Sequence, residues 1–323
     1  MINVGLVGFG YWAPNILRNL RDLPNVEVSY VCDTDTTKLE RVKGVKTTTS
    51  LDDLIKGSEA VIVSTPAKTH YDIARRCLEA GKDVLVEKPL TYKPQDSIEL
   101  IRLVDKQILM VGHILLYNNI SRYIKQCDIG DIRYLQSQRL GLGPIRQDVN
   151  AMWDLAPHDI AFFNYILDDR PESVFVNGKS YVQKGIEDMV SMSLDYPNNC
   201  QANTTVSWID PIKTRKITIV GSKKMLEFDD VIPRLTIFDK GVDYQPKTGE
   251  YGDFKLSLRD GDIILPKIPL NEPLKEELQH FLDCVKTRQQ PLTDGWSGYD
   301  VVCTLDAAQR SLKSGKKEMI QYE

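Results

Sequence analysis

The sequence predicts an α/β protein: a doubly wound parallel sheet, followed by an α+β domain with a large, mostly antiparallel open sheet. In the first third of the chain, short runs that are apolar throughout alternate with amphipathic stretches of about ten residues. Strands of that kind, separated by helices, are typical of a parallel sheet covered on both faces. After residue 130, β-like runs follow one another without helices between them, which indicates antiparallel pairing.

The elements are predicted in chain order from their periodicity and turn residues. The first domain, residues 1–118, is predicted to contain strands over 2–7, 26–32, 60–64, 84–87 and 108–112, and helices over 14–21, 71–80 and 97–105. The second, residues 119–323, is predicted to contain a helix over 153–167, strands over 173–182, 189–196, 201–208, 216–220, 225–228 and 235–238, and helices over 273–287 and 297–314. The polar segment 239–268 is interpreted as loops or a hairpin.

Composition argues against several classes of protein. The chain has 323 residues and a formal net charge of −4, without the basic excess or basic stripe of a nucleic-acid binder. No apolar run approaches the ~18–20 residues of a membrane span, and no charged segment precedes the N-terminal apolar run as in a signal peptide. The six cysteines lie far apart without a CxxC pair, which is typical of reduced thiols. We therefore expect a cytoplasmic two-domain enzyme that binds neither nucleic acid nor membrane.

A glycine turn follows the first predicted strand. Residues 8–13 read GFGYWA, a GxGxxA pattern placed between a strand and a helix. Gly8 allows the tight turn, Gly10 lets the backbone approach a pyrophosphate, and Ala13 lets helix and strand pack closely. Asp33, at the end of the second strand, is placed to bind the ribose hydroxyls of a dinucleotide. The alternatives are an ordinary turn and a plain strand-end acid; the combined pattern favours NAD, because Asp33 would repel a 2′-phosphate.

The ends of later strands supply further candidates, because ligands of such sheets collect at the carboxyl ends of the strands. Lys88 ends a buried strand and precedes a proline, and there it could stabilise the alkoxide formed during hydride transfer; the alternative is an exposed loop lysine. His70 has two interpretations, cofactor contact or a structural hydrogen bond at a helix start. The predicted cofactor-binding residues are Gly8, Phe9, Gly10, Tyr11, Trp12, Asp33, Ser64, Thr65, Pro66, His70, Glu87 and Lys88.

Two titratable residues share one face of the predicted helix 153–167. Asp154 and His158 are four residues apart, and alcohol oxidation requires a base of near-neutral pKa. The alternatives are that Asp154 caps the helix, with Pro157 in its first turn, and that His158 is a packed helical histidine. His113 and His280 lack such partners, although His113 follows a strand end and could reach the nicotinamide. The sequence contains no HExxH motif and no clustered Cys/His set, so we expect no metal site.

These motifs together resemble the glucose–fructose oxidoreductase/inositol dehydrogenase (Gfo/Idh/MocA) family, and the resemblance covers essentially the whole chain. It rests on the glycine turn, on Thr65-Pro66 with His70, on Glu87-Lys88-Pro89, and on Asp154 with His158, in the family's order. The resemblance implies an N-terminal Rossmann domain and a C-terminal sheet through which the chain forms a homodimer or homotetramer. It also implies that Lys88, Asp154 and His158 are the catalytic residues, with His158 as the general base.

Further segments look like the branch of that family that acts on nucleotide sugars. They are 111–118, 150–159, 207–215 and 291–295. This resemblance implies oxidation at C3 of a sugar such as UDP-N-acetylglucosaminuronate in surface-polysaccharide biosynthesis. Arginine and lysine suit phosphate or carboxylate groups, although solvated charges on the strands are an equal alternative. The predicted substrate-binding residues are Lys88, Arg139, Arg146, Asn150, Asp154, His158, Lys213 and Arg215.

Two other functions stay open at this point. The first keeps the family but changes the reaction, to a ketosugar reductase or to a dehydrogenase of free sugars or inositol. The second is a noncatalytic regulator that binds NAD on the same scaffold; the presence of Lys88, Asp154 and His158 together argues against it.

Overall fold

The computed structural model describes residues 1–245 and 255–323, and their contacts divide the chain into two compact units. The first unit comprises residues 1–117, 271–306 and 322, and the second comprises residues 118–270, 307–321 and 323. The expected first domain ended at residue 118, one residue beyond the observed boundary. Residues 271–306, which the expected division placed in the second domain, belong to the first unit. The reason is that the helix at Pro273–Thr287 packs on the helix at Ala13–Arg21 and on the 3₁₀ turn at Ile114–Tyr117.

The bounds of the elements in the described residues are as follows. The helices are α1 Ala13–Arg21, α2 Thr36–Leu39, α3 Leu51–Lys56, α4 His70–Glu79, α5 Pro94–Leu103, α6 Asn119–Gln126, α7 Ala151–Leu167, α8 Pro273–Thr287 and α9 Gly295–Ser314. The strands are β1 Ile2–Val7, β2 Val26–Cys32, β3 Lys46–Thr48, β4 Ala60–Val63, β5 Asp83–Glu87, β6 Leu109–Gly112, β7 Ile132–Leu142, β8 Ser173–Lys179, β9 Met189–Tyr196, β10 Cys200–Ser207, β11 Ile209–Gly221, β12 Met225–Asp229, β13 Arg234–Gln245, β14 Lys255–Ile264 and β15 Glu318–Met319.

The first unit is built on a parallel sheet. Its described strands lie in the order β3-β2-β1-β4-β5-β6, with every pair parallel, which is the order of a doubly wound dinucleotide-binding fold. All residues of β4 and β6 are buried, as are the first four of β5, so both faces of these strands are covered. The predicted doubly wound sheet is therefore confirmed, and its cause is the uninterrupted apolar character of the central strands.

The second unit is built on a larger sheet. Its described strands lie in the order β14-β13-β12-β11-β7-β10-β9-β8-β15, and β7 with β10 is the one parallel pair among them. Helix α7 packs on β7, β9 and β10. Burial alternates strictly along β9 and nearly so along β10, because one face of the sheet meets the helix and the other does not. The predicted mostly antiparallel sheet is confirmed.

The central strand β7 was not predicted. Its buried positions alternate as expected for a strand, but they are occupied by Leu135, Ser137 and Arg139. Two polar residues in three buried positions hide the alternation of apolar and polar residues on which strand prediction depends. Strands β3, β14 and β15 were not predicted either. Strands β13 and β14 pair antiparallel, in agreement with the hairpin interpretation of this region, whose residues 246–254 lie outside the described part of the chain.

Within residues 1–245 and 255–323, no helix has the length and apolar character needed to cross a membrane.

Candidate active site

The glycine turn of the first unit has the geometry that its sequence predicts. Gly8 has φ of +90°, and a Cβ there would lie 2.5 Å from the carbonyl oxygen of Ser64, so a larger residue is excluded for two reasons. A Cβ at Gly10 would meet nothing within 4 Å, which leaves open space beside the backbone. Helix α1 follows at the buried Ala13, and no side chain caps its N-terminus. Its first N–H groups are thus available to an anion.

Asp33 is buried and held at the end of β2 by the turn itself. Its Oδ2 accepts the N–H of Phe9 at 2.7 Å, and its Oδ1 accepts the N–H of Asp35 at 2.9 Å. Lys38 lies beside it, with Nζ 3.4 Å from Oδ1. The glycine turn and the acid therefore form one hydrogen-bonded unit at the position of the predicted ribose site. Lys38 is a neighbour that the sequence analysis did not single out.

This arrangement fits a dinucleotide. The open side of Gly10 and the uncapped start of α1 suit a pyrophosphate, and the anchored carboxylate of Asp33 suits ribose hydroxyls. The next predicted residues, Ser64, Thr65 and Pro66, follow β4 at the same carboxyl edge of the sheet. The turn after β4 is internally bonded, since the Thr69 hydroxyl donates to the Thr65 hydroxyl and to the Pro66 carbonyl oxygen, each at 2.8 Å.

His70, predicted to bind the cofactor or to make a structural hydrogen bond, makes structural hydrogen bonds. It is 1% exposed at the start of α4. Its Nδ1 lies 2.8 Å from the carbonyl oxygen of Pro89, and its Nε2 lies 2.8 Å from that of Thr65. Both ring nitrogens are thus engaged by the backbone of the first unit.

Glu87 and Lys88 end β5 and begin the turn that follows it. The Lys88–Pro89 peptide bond is cis. The N–H of Lys88 donates to the carboxylate of Glu87 at 3.3 Å. Burial raises the pKa of Glu87, and the charge of Lys88 and the indole of Trp12 offset part of that rise. Lys88 is partly buried, in contrast to the exposed loop lysine of the alternative interpretation.

Two further buried groups surround this turn. Burial and the charge of Lys88 lower the pKa of His113 to about 3, and neither of its ring nitrogens has a hydrogen-bond partner among the described residues. Burial raises the pKa of Glu277 on α8 well above its usual range, and the charge of Glu87 raises it further. At neutral pH His113 is therefore a neutral imidazole, and burial favours the protonated form of Glu277. Glu277 is 190 positions from Glu87 in sequence, and no local pattern marks it as a neighbour.

In the second unit, helix α7 begins earlier than predicted. Asn150 is its N-cap, with the side-chain oxygen accepting the N–H of Trp153 at 3.1 Å. The alternative role of Asp154 as the cap is therefore wrong, and Pro157 lies inside the helix rather than in its first turn. Asn150, predicted to bind substrate, also donates to Glu187 at 2.8 Å, so its side chain ties the start of α7 to neighbouring segments.

Asp154 is held by two donors on opposite oxygens. Arg146 Nη1 lies 3.3 Å from Oδ1, and the indole nitrogen of Trp208 lies 3.1 Å from Oδ2. Arg146 itself is paired in a bidentate manner with Asp148, at 2.9 and 2.7 Å. A carboxylate fixed in this way is suited to orienting a neighbour rather than to moving as a base. His158 lies one helical turn further along α7 and is partly exposed.

The basic residues predicted to bind substrate differ in their surroundings. Arg139 is buried and pairs with Asp159 at 3.1 Å, so its charge is already neutralised inside the unit. Arg215 lies opposite Arg139 across strands β11 and β7 and pairs with Asp230 at 3.6 Å. Lys213 on β11 is exposed. The contacts of Arg139 favour the structural alternative, and Lys213 has the most accessible charge of the three.

Comparison with known proteins places the chain in a family. A profile described as the oxidoreductase family with an NAD-binding Rossmann fold matches residues 2–113, and one described as the Gfo/Idh/MocA C-terminal domain matches residues 117–227. The chain is therefore an oxidoreductase with an NAD-binding Rossmann fold. It belongs to the Gfo/Idh/MocA family, as the sequence motifs predict.

Several relatives are similar along most of their length. UDP-N-acetylglucosamine 3-dehydrogenase from Acidithiobacillus ferrooxidans is 27% identical over 78% of each chain, and its solved structure has a TM-score of 0.83 over 97% of this chain and 98% of that one, at 22% identity in that alignment. An inositol dehydrogenase from Halalkalibacterium halodurans is 24% identical over 82% of this chain and 76% of its own. An oxidoreductase from Agrobacterium radiobacter, solved with NAD⁺, L-tartaric acid and magnesium, has a TM-score of 0.80 at 18% identity over 99% of this chain and 98% of that one.

Proposed function

We propose that the protein oxidises a secondary hydroxyl group, at C3, of a nucleotide sugar such as UDP-N-acetylglucosaminuronate, with NAD⁺ as the oxidant. The observation that carries this proposal is the Asp154–His158 pair on α7, in which Asp154 is fixed by Arg146 and Trp208 while His158 remains partly exposed. A relative that is 27% identical is named for 3-dehydrogenation of UDP-N-acetylglucosamine, which supports this class of substrate.

In the proposed mechanism each residue has one task. His158 accepts the proton of the reacting hydroxyl group, since a histidine has a pKa suited to that role near neutral pH. Lys88 donates a hydrogen bond to the same oxygen and stabilises its developing negative charge. Asp154 orients the groups around the substrate. NAD⁺ supplies the acceptor for the hydride that leaves the carbon atom.

The choice of an acidic sugar rests on charge. Lys213 is exposed and has no ion pair among the described residues, so its ammonium group is available to a carboxylate or a phosphate. A sugar that carries a carboxylate and a phosphate can form an ion pair with this cation, whereas inositol carries neither group. We propose in addition that the reaction takes place in the cytoplasm and supplies a sugar for surface polysaccharide.

The deciding experiment is single-turnover formation of NADH, followed by nicotinamide absorbance. The panel comprises UDP-N-acetylglucosaminuronate, UDP-N-acetylglucosamine, UDP-glucuronate and myo-inositol, with Lys213→Met measured beside the wild type. We expect the highest kcat/KM with UDP-N-acetylglucosaminuronate, and a loss in Lys213→Met for the two uronates that exceeds the loss for UDP-N-acetylglucosamine. Preference for inositol would replace the proposal with the inositol dehydrogenase alternative. No turnover on any substrate, in either direction, would favour a regulator.

We expect NAD(H) to bind at least ~10-fold more tightly than NADP(H), because Asp33 would repel a 2′-phosphate. Replacing Asp33 with Asn retains an acceptor for the N–H of Phe9 but removes the charge, and it leaves Lys38 without its buried partner. The preference for NAD should then fall by at least ~10-fold. Asp35→Asn is the matched control, since Asp35 lies 3.9 Å from the same lysine but is exposed. Titration calorimetry measures the six affinities of the three proteins for the two cofactors, and equal binding of both cofactors by the wild type would contradict the assignment.

We also propose that the protein is a homodimer or homotetramer formed through the open face of the second sheet. The residues of β9 and β10 on the less buried face are mostly polar and include the charged Asp195, with the hydroxyls of Ser191 and Thr205 3.2 Å apart. The small side chains among them leave room for a second sheet. Light scattering should show a dimer or tetramer at micromolar concentration, and Thr205→Arg should dissociate it. A monomeric wild type would overturn this part of the proposal.

A further inference from the structure

His70 links two turns at the carboxyl edge of the first sheet. Thr65 lies in the turn after β4, and Pro89 lies in the turn after the neighbouring β5. The histidine side chain lies between them, 2.8 Å from each carbonyl oxygen, with 1% of the residue exposed. Neither partner has a proton to give, because a carbonyl oxygen only accepts hydrogen bonds.

The two contacts constrain the protonation of the ring. A neutral imidazole has one N–H, so its other nitrogen would direct a lone pair at an oxygen lone pair at hydrogen-bond distance. Turning the ring over would place carbon atoms where the nitrogens now lie. Both contacts are satisfied only when both nitrogens carry protons. Hydrogen bonds from an ionised donor are also the stronger kind, which offsets part of the cost of burying the charge.

We propose that His70 is an imidazolium ion at neutral pH and that it positions Lys88, by tying the Lys88–Pro89 turn to the Thr65–Pro66 turn. His70 is thus a positioning residue, and its effect on catalysis rests on the proposed function of Lys88. The ion also places a buried positive charge at the edge of the sheet where the phosphates of a dinucleotide are expected.

The charges around His70 come from the elements that pack on α4, namely β4, β5, α5 and the 3₁₀ turn Ala67–Thr69. Strand β4 has no charged residue. Near the Pro89 carbonyl that His70 contacts, the acid nearest in sequence is Glu87 and the nearest cation is Lys88. These two residues carry opposite charges. The charged residues of these elements, together with Lys88 directly after β5, are Lys68, Asp72, Arg75, Arg76, Glu79, Asp83, Glu87, Lys88, Asp96, Glu99 and Arg102. Among them Asp83 pairs with Arg288, Arg75 with Glu79, and Arg76 with Asp52.

The protonation state can be measured directly, because the chain has four histidines. Long-range ¹H–¹⁵N spectra of protein labelled with ¹⁵N-histidine distinguish an imidazolium from either neutral tautomer. Two rings serve as internal references for the neutral form: His280, whose Nε2 accepts the N–H of Leu292 at 3.0 Å, and the buried His113. We expect His70, assigned with His70→Gln, to show two protonated nitrogens at neutral pH. A neutral tautomer for His70 at neutral pH would overturn the proposal.

The positioning role has its own measurement in the same titration. As the pH rises and the ring loses a proton, one of its two hydrogen bonds is lost. The chemical shift of the Lys88 backbone amide should then change with the same midpoint. His70→Gln should abolish this shift and lower kcat/KM by about 10- to 100-fold at neutral pH, the worth of one hydrogen bond to a charged group. His280→Gln is the matched control and should leave both unchanged.

The outcomes separate the two proposals. A titrating ring without a response at Lys88 would overturn the positioning role. An imidazolium that moves the Lys88 amide, in a protein that turns over no substrate of the panel, would support this inference and overturn the proposed function. Turnover of nucleotide sugars by a protein in which His70 is neutral would support the proposed function and overturn this inference.

Discussion

Replacing His158 with asparagine is expected to lower turnover by ~10²–10⁴-fold while the affinity for NAD⁺ stays nearly unchanged. The magnitude is the usual effect of removing a positioned general acid or base. Lys88→Met should have an effect of the same order, because it removes the hydrogen bond to the same oxygen. The double variant should lose less than the product of the two, since both residues act in one transition state. Single-turnover NADH formation, with cofactor affinity measured in parallel, tests all three.

Two variants serve as comparisons for this prediction. Asp154→Asn should cost less than His158→Asn, because Arg146 and Trp208 fix the side chain and asparagine keeps part of those contacts. His280→Gln, in the other unit, should retain full turnover. Full activity in His158→Asn would remove the histidine from the mechanism. Loss of NAD⁺ affinity in the same variant would show that the residue has a structural role.

Replacing Asp159 with alanine is expected to destabilise the protein by ~3–5 kcal/mol, because it leaves the buried guanidinium of Arg139 without its partner. Asp159 accepts from Arg139 and from the Thr204 hydroxyl, at 3.1 and 3.3 Å, so two donors lose their acceptor. Urea unfolding followed by tryptophan fluorescence measures the change. The double variant Arg139→Met/Asp159→Leu should recover most of the loss, since removing both charges also removes the cost of burying them.

The control for this prediction is an exposed ion pair in the same unit. Lys240 and Asp260 lie 2.7 Å apart, but the Asp260 side chain is 83% exposed. Asp260→Ala should change the free energy of unfolding by no more than ~1 kcal/mol, the usual range for a surface pair. Equal losses in Asp159→Ala and Asp260→Ala would contradict the assignment of Arg139–Asp159 as a buried structural pair. Arg139 would then be a candidate for substrate binding again.

The candidate site could be predicted from sequence where its residues are local to a strand end. The glycine turn, Asp33 and Lys88 each follow a strand directly, and the strand is recognisable from its own apolar residues. The hydrogen bonds that hold those residues in place could not be predicted, because they join positions that are distant in sequence. Asp33 accepts the N–H of Phe9, 24 residues earlier, and His70 reaches Pro89, 19 residues later.

The second unit shows the limit of local patterns most clearly. Strand β7 was missed because Ser137 and Arg139 occupy buried positions, and a buried arginine is acceptable only with a partner such as Asp159. The same limit applies to the start of α7. Asp154 and Asn150 are both good N-cap residues in sequence, and only the bonds of Asp154 to Arg146 and Trp208 show that it faces other groups.

By itself the sequence determined the class of fold, the doubly wound first sheet, the mostly antiparallel second sheet and the family. Those features depend on periodicity and short motifs, whose information lies within a few neighbouring residues. The tertiary structure alone decided that residues 271–306 belong to the first unit, that Arg139 is neutralised by Asp159, and that Glu277 lies near Glu87. The physical reason is that burial and pairing depend on which distant segments meet, and burial changes the free energy of a charge far more than its local sequence does.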